Sequence, residues 1–209
     1  MAYQFNEATI VDIKDETEKV KRYFIKVPDE IPFSFKAGQF IMLDLPIDSK
    51  YTNRSYSIAS APSNDNIFEL CIVLNEKGLG TPYMWENFKV GTKVNISKVL
   101  GKFQLPETID RDICFIGTGT GIAPLRSQII DILNKGLPHK SLHLVFGNRW
   151  EKDILYRKEM EELMEKHPSF HFHPVLSRQN EGWTGKTGYV HSHSRAPIPT
   201  PTRRLLKQT

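Results

Sequence analysis

The chain is poor in cysteine, in long apolar runs and, toward its end, in acid. Two cysteines occur in 209 residues, Cys71 and Cys114. Two thiols exclude a disulfide framework, and they exclude an iron–sulfur cluster held by this chain alone, since clusters usually take four cysteines. Both lie in apolar, strand-like runs and are expected to be buried. The longest apolar stretches, such as Ile113-Cys114-Phe115-Ile116, are short and interrupted, so no membrane span fits. Met1 to Glu7 lack a basic segment followed by an apolar one, which argues against a secretory signal and for the cytoplasm. From Ser192 to Thr209 there is no acid, but there are four basic residues, Arg195, Arg203, Arg204 and Lys207. These four account for the whole net charge of +4 and leave the rest of the chain neutral. The basic excess belongs to a tail, so no folded surface for nucleic acid is expected.

What is present falls into two halves of different period. Thr9–Ile13, Val20–Val27, Gln39–Leu45, Ser55–Ala59, Phe68–Leu74 and Lys93–Val99 alternate apolar and polar residues between turn residues and read as strands. Many short strands with little helix predict an antiparallel β-barrel. One short helix, from Pro82 to about Phe88, interrupts them, with Thr81 as its N-cap. After Leu105-Pro106-Glu107 the period changes. Strand Ile113–Ile116 leads into a helix with Ile122, Leu125, Ile129 and Leu133 on one face, ended by Gly136 and Pro138. Strand Leu142–Phe146, a helix carrying Tyr156, Met160, Leu163 and Met164, and strand Phe170–Leu176 follow. Strand–helix–strand–helix–strand predicts a parallel sheet. The expected division is a barrel domain over 1–106, an α/β domain over 107–191, and an extended, disordered, proline-containing tail over 192–209.

Three segments carry chemistry. Arg54-Ser55-Tyr56-Ser57 offers a cation, an aromatic ring and two hydroxyls at a strand end. A flavin pocket needs such a set: an aromatic face, donors for the ring edge and positive charge for the phosphates. The same four residues also suit an amphipathic strand with a surface arginine. Asn75-Glu76-Lys77-Gly78-Leu79-Gly80-Thr81-Pro82 is a glycine-rich turn feeding a helix, which is either an anion site or a plain hairpin loop. Gly117-Thr118-Gly119-Thr120-Gly121 follows a strand and opens a helix, the context of a phosphate-bearing ligand, although no acidic residue stands at the distance a dehydrogenase fingerprint requires. Arg149, Arg178 and Lys186 fall at or beyond the ends of successive strands, where three cations would suit a 2′-phosphate. His171-x-His173 and His191-x-His193 have the alternation of ligand pairs, but no carboxylate or cysteine cluster accompanies them, and no metal site is assigned.

The order and spacing of Arg54-Ser55-Tyr56-Ser57 and Gly117–Gly121 with Ile122-Ala123-Pro124 resemble the ferredoxin–NADP reductase superfamily over residues from about 5 to about 191. The resemblance implies an FAD-binding barrel and an NAD(P)-binding α/β domain. It implies that Arg54 contacts the flavin diphosphate, Tyr56 stacks on the ring and Ser57 hydrogen-bonds near N5, with Ser55 beside them. Tyr56 and Ser57 are then the catalytic pair. Cys71, Ile72 and Val73 match the family's second flavin segment, and Gly78, Leu79, Gly80 and Thr81 its phosphate turn. A second phosphate site favours FAD over FMN. Gly117, Thr118, Gly119, Thr120 and Gly121 match the nicotinamide-site loop, and Arg149, Ser177, Arg178 and Lys186 the adenosine side, with NADP(H) favoured over NAD(H). Implied partners are NAD(P)H and a one-electron carrier such as ferredoxin or flavodoxin, or an oxygenase component. A non-catalytic flavin-binding module is the reading from another class. Val99-Leu100-Gly101 departs from the family's Gly-Pro before the glycine. The tail departs further: the family's closing strands and helix have no counterpart after about residue 191, so the α/β domain is expected to be incomplete at its C-terminus.

Overall fold

A computed structural model describes residues 4–50, 52–106, 109–178 and 181–193. The first half forms six strands, β1 (Phe5–Thr17), β2 (Val20–Lys26), β3 (Phe40–Asp44), β4 (Asn53–Ser57), β5 (Ile67–Val73) and β6 (Lys93–Ser97), with helix α1 (Gly80–Asn87) after β5. They lie in the order β4-β3-β6-β1-β2-β5, with antiparallel pairing throughout. The bridge Ile58↔Leu70 joins the end of β4 to β5 and closes the sheet into a barrel. The core follows the alternation: Ile10, Ile25, Ile41, Leu43, Phe68, Leu70 and Ile96 point inward and are buried. β1 runs beyond the expected Thr9–Ile13 at both ends. Its first residues pair with β6 (Phe5↔Ser97) and its last with β2 (Thr17↔Val20), contacts that local alternation does not reveal.

The second half contains β7 (Ile113–Thr118), α2 (Ile122–Lys135), β8 (Leu142–Asn148), α3 (Arg157–Lys166), β9 (Phe170–Leu176), a two-residue strand β10 (Lys186–Thr187) and a short helix α4 (Val190–His193). The four strands are parallel, in the order β10-β9-β8-β7. α2 buries Ile122, Leu125, Ile129 and Leu133 and ends at Gly136, whose φ of 59° is a left-handed closure. Strand order runs one way and such crossovers share one hand, so α2 and α3 cover the same face. That face carries Phe115, Leu144, Phe146, Phe170 and Phe172, all in the core. Register places Cys114, His143 and His171 side by side on the opposite face, together with Ile116, Val145 and His173.

That asymmetry corrects one expectation: Cys114 is exposed, because neither α2 nor α3 covers its face and β7 has no outer neighbour among the described residues. Cys71 is buried. The second half's core also takes in Val20, Ala59 and Cys71 from the barrel, so the two halves share an apolar seam. The tail expected from Ser192 falls largely on 194–209, outside the described residues, as do Glu107 and Thr108 at the expected boundary. Ser192 and His193 themselves belong to α4.

Candidate functional site

β4 positions the first motif. Its register with β3 (Ile41↔Tyr56, Leu43↔Arg54) puts Arg54 and Tyr56 on the face of two fully buried residues and Ser55 and Ser57 on the other. Tyr56 is half-buried, with its hydroxyl 3.5 Å from Met84 Sδ on α1. Burial raises its phenol pKa, against the nearby Arg54 charge. Arg54 passes over Gly80: a Cβ on Gly80 would stand 3.1 Å from Arg54 Nε and 3.2 Å from Leu45 Cδ1. The structure thus brings Arg54 and Tyr56 to the start of α1, next to Gly78, Leu79, Gly80 and Thr81. Thr81 is not the N-cap. The helix starts at Gly80, and Thr81 Oγ1 accepts from the Asn75 amide at 2.8 Å and donates to the Asn75 carbonyl at 3.2 Å, tying the loop to itself. α1 therefore begins without a side-chain cap, and its first amides remain available to an anion.

β5 divides the next three residues among three surroundings. Cys71 enters the core of the second half, Ile72 enters the barrel core, and Val73 reaches a cleft between the two halves. That cleft, of about 890 Å³, has one wall from Thr17–Val20 and Val73 of the barrel. The other wall comes from Thr118, Gly119, Thr120, Gly147, Asn148, Arg149 and Ser177, with Tyr189–His191 at its rim. The glycines have separate reasons. A Cβ on Gly117 would meet Leu125 Cδ1 at 2.8 Å, so a larger residue there would have to displace the Leu125 side chain from under α2. Gly119 has φ of 50°, and neither it nor Gly121 would bring a Cβ within 4 Å of any heavy atom, so both leave bare backbone at the turn.

Asn148, which nothing in the local sequence pattern marks, is the most telling polar group of this cleft. It is 8% exposed, and its Nδ2 has no hydrogen-bond partner among the described residues. A buried donor of this kind calls for an acceptor from a ligand or water. Among the three expected cations, Arg149 and Arg178 are neighbours at the ends of β8 and β9, with the Arg178 amide donating to the Arg149 carbonyl at 3.0 Å. Lys186 stands apart. It lies on β10 and pairs with Val175 of β9, which turns it to the face of His143 and His173, where its charge helps to lower their pKa values. His143 Nδ1 lies 3.2 Å from His173 Nε2, and the His143 and His171 rings stack at 4.6 Å. Among the described residues, no three His, Cys, Asp or Glu side chains converge as a metal-ligand set.

Residues 7–105 match the family described as Oxidoreductase FAD-binding domain, and residues 115–203 the one described as Oxidoreductase NAD-binding domain, the latter running into the stretch set apart above as a tail. A ferredoxin–NADP reductase B from Sorangium cellulosum is 33% identical over 187 residues, covering 90% of this chain and 76% of that protein. The chain belongs to the ferredoxin–NADP reductase superfamily. The phenol hydroxylase P5 protein of Acinetobacter pittii is also 33% identical, over 88% of this chain and 52% of its own length. A ferredoxin NADP+ reductase from Neisseria gonorrhoeae, solved with bound FAD and NADP, superposes with a TM-score of 0.71 at 25% identity, covering 88% of this chain and 72% of that one. The chain spans about half to three quarters of the length of these curated relatives.

As a member of this superfamily, the protein is an oxidoreductase with an FAD-binding antiparallel half and an NAD(P)-binding parallel half. The residues present fit both groups. The cradle at Gly80 under Arg54 and the uncapped start of α1 suit a diphosphate, while the bare turn at Gly119 and the unpartnered Asn148 amide suit a second oxygen-rich ligand. No helix among the described residues is long and apolar enough to cross a membrane.

Proposed function

We propose that this protein takes a hydride from NADPH onto FAD and releases single electrons to a redox protein such as ferredoxin or flavodoxin. The observation that carries the reading is the cleft with one wall from each half: Val73 at the end of the flavin strand faces Thr118–Thr120 of the glycine-rich turn. Bound FAD supplies the conversion of one two-electron step into two one-electron steps. The chain's residues bind and orient. Arg54, with the turn Gly78–Thr81, holds the diphosphate, Tyr56 offers the flavin an aromatic face, and Ser57, which ends β4, supplies a hydroxyl at the ring edge, with Ser55 beside them on the outer face of the strand. The backbone of Cys71, Ile72 and Val73 flanks the ring. Gly117–Gly121 and Asn148 hold the nucleotide, and Ser177 lies beside its adenosine end. Arg149 and Arg178 favour the 2′-phosphate of NADPH, and Lys186, from the other face of the sheet, adds longer-range positive charge.

Similarity to the phenol hydroxylase P5 protein supports a second reading, in which the acceptor is an oxygenase component. One experiment tests the core proposal. Purified protein reconstituted with FAD is mixed anaerobically with NADPH or NADH, and bleaching of the flavin band is followed in the parent and in Arg178→Ala. Faster reduction by NADPH, with the preference reduced about tenfold in the variant, is expected from the loss of one charge-assisted contact. Failure of either nucleotide to reduce a bound flavin would make the protein a flavin-binding module without turnover.

A further inference from the structure

Behind the cleft, the two halves meet at a single buried carboxylate. Glu69, on β5 of the barrel, is 2% exposed. Arg22, also from the barrel, donates to it through Nε at 2.6 Å and Nη2 at 3.1 Å. From the other half, Arg126 Nη1 donates to it at 3.2 Å and the Tyr156 hydroxyl at 2.7 Å. Arg126, 6% exposed on α2, also donates to the Ala59 carbonyl at 2.7 Å and forms a fork with Glu159 at 2.6 and 2.7 Å. Both guanidinium carbons lie over the Tyr156 ring, at 4.7 Å for Arg22 and 4.4 Å for Arg126. Burial opposes the Glu69 charge, but the donors from Arg22, Arg126 and Tyr156 outweigh it and hold its pKa below the ordinary carboxylate value.

The neighbours of this carboxylate lead directly to the cleft. Arg126 lies on the helix that opens at the Gly117–Gly121 turn, and the next two residues of α2 also bond to the barrel. Ser127 Oγ donates to the Ser60 carbonyl at 2.6 Å, and Gln128 Nε2 to the Phe103 carbonyl at 2.8 Å. Tyr156 follows Asp153 and Leu155, which line the cleft, and it takes a left-handed φ of 54°, a conformation a tyrosine keeps only when its surroundings hold it. Its amide is held by Glu16, whose other oxygen accepts from Arg22 at 3.4 Å. Four residues beyond Glu69 on the same strand is Val73, on the cleft wall.

We propose that Glu69 is a positioning residue: it fixes the angle of the parallel-sheet half on the barrel and, through that angle, the width of the cleft in which nicotinamide and flavin meet. The link to cofactors rests on the function proposed above; the link to domain angle does not. A carboxylate with two guanidiniums and a hydroxyl converging on it accepts only a narrow set of approaches, because the fork of arginine is planar and directional. Apolar contact at Val20, Ala59 and Cys71 supplies adhesion without direction, and the Glu69 cluster supplies the direction. Glu69 touches none of the reacting groups in this scheme.

The test uses the whole chain in a Cys114→Ser background, with spin labels on cysteines replacing Val90 in the barrel and Met164 on α3, both exposed positions. Pulsed dipolar spectroscopy of the apoprotein should give one narrow distance distribution, broadened in Glu69→Gln and less so in Tyr156→Phe, which removes only a hydroxyl and keeps every charge. In the FAD-loaded protein, single-turnover reduction at saturating NADPH should slow on the order of tenfold or more in Glu69→Gln, with flavin retention and nucleotide KM little changed. A narrow distribution retained in both variants overturns the proposal. So does a broadened one with an unchanged reduction rate. If the parent is not reduced by NADPH, the functional reading fails, while the distance distribution still decides whether Glu69 sets the angle.

Discussion

In the barrel, β4 and β5 meet through the Ile58–Leu70 bridge and no strand is left without two neighbours; in the parallel sheet, β7 and β10 each have one among the described residues. Closure gives the barrel a single inside, filled by Ile10, Ile25, Ile41 and their neighbours. The open sheet has two faces of different character. Under α2 and α3 lie Phe115, Leu144 and Phe172; on the opposite face lie Cys114, His143, His171 and His173. Imidazoles contribute far less to stability through burial than phenylalanines do. The opposite face adds buried Val145 and Val175 but no phenylalanine layer, so the second half draws most of its apolar burial from one face and from its seam with the barrel, whereas the barrel can rely on its own core.

The largest expected effect comes from emptying each core in turn. Leu43 in the barrel and Leu144 in the sheet are both fully buried, so Leu43→Ala and Leu144→Ala should each cost about 2–5 kcal/mol. Hydrogen exchange should separate them. Leu144→Ala should loosen residues 113–176 and spare the barrel strands, while Leu43→Ala should loosen both halves, because the sheet leans on the barrel. Equal loosening of the barrel by both changes would remove the asymmetry.

The histidine face should give a smaller, pH-dependent effect. Burial, then Lys186, His143 and His171, push the His173 pKa down from an ordinary 6.5 to about 4. His143 shifts the same way through burial and His171, with Asp112 opposing. Between pH 6.5 and about 4 the unfolded chain takes up a proton that folded His173 refuses, so stability falls as pH drops through that window. Melting curves across this range should show the loss, and His173→Gln should flatten it. An unchanged slope in that variant would assign the acid sensitivity elsewhere.

The smallest effect leaves stability alone and distinguishes the two thiols. Cys114 is exposed on the open face; burial and the Glu69 and Glu16 charges push the Cys71 thiol up to about 12. A chromogenic disulfide should titrate one thiol in the native protein and two after denaturation. Two native thiols would mean that the seam around Cys71 opens readily.

Local period is what makes this fold legible in the sequence. Strands β2 to β9 lie within two residues of the expected ends, because alternation and turn residues act over short spans. β10 and α4 leave no mark in the sequence, since two and four residues are too short to show a period. Arg54-Ser55-Tyr56-Ser57, Gly78–Thr81 and Gly117–Gly121 are legible as motifs, and the structure brings Arg54 of the first against Gly80 of the second. Chain order does not tell which face of a sheet a residue takes, which is why Lys186 groups with Arg149 and Arg178 by position but lies with the histidines. Glu69 and Arg126 are 57 residues apart, and nothing local marks either as a partner. Asn148 likewise becomes informative only when its amide is seen to be buried and unmatched.

The cleft wall formed by Thr17–Val20 and Val73 on one side and Thr118–Thr120 on the other has a thermodynamic consequence. A molecule seated there touches both halves, so its binding free energy is shared by their joint unfolding and is not credited to either alone. At a hundred times its Kd, that linkage amounts to about 2.7 kcal/mol for the pair as a unit. Nucleotide would thus act as a staple across the seam, and the cooperativity of the whole chain would rise and fall with the cell's supply of it.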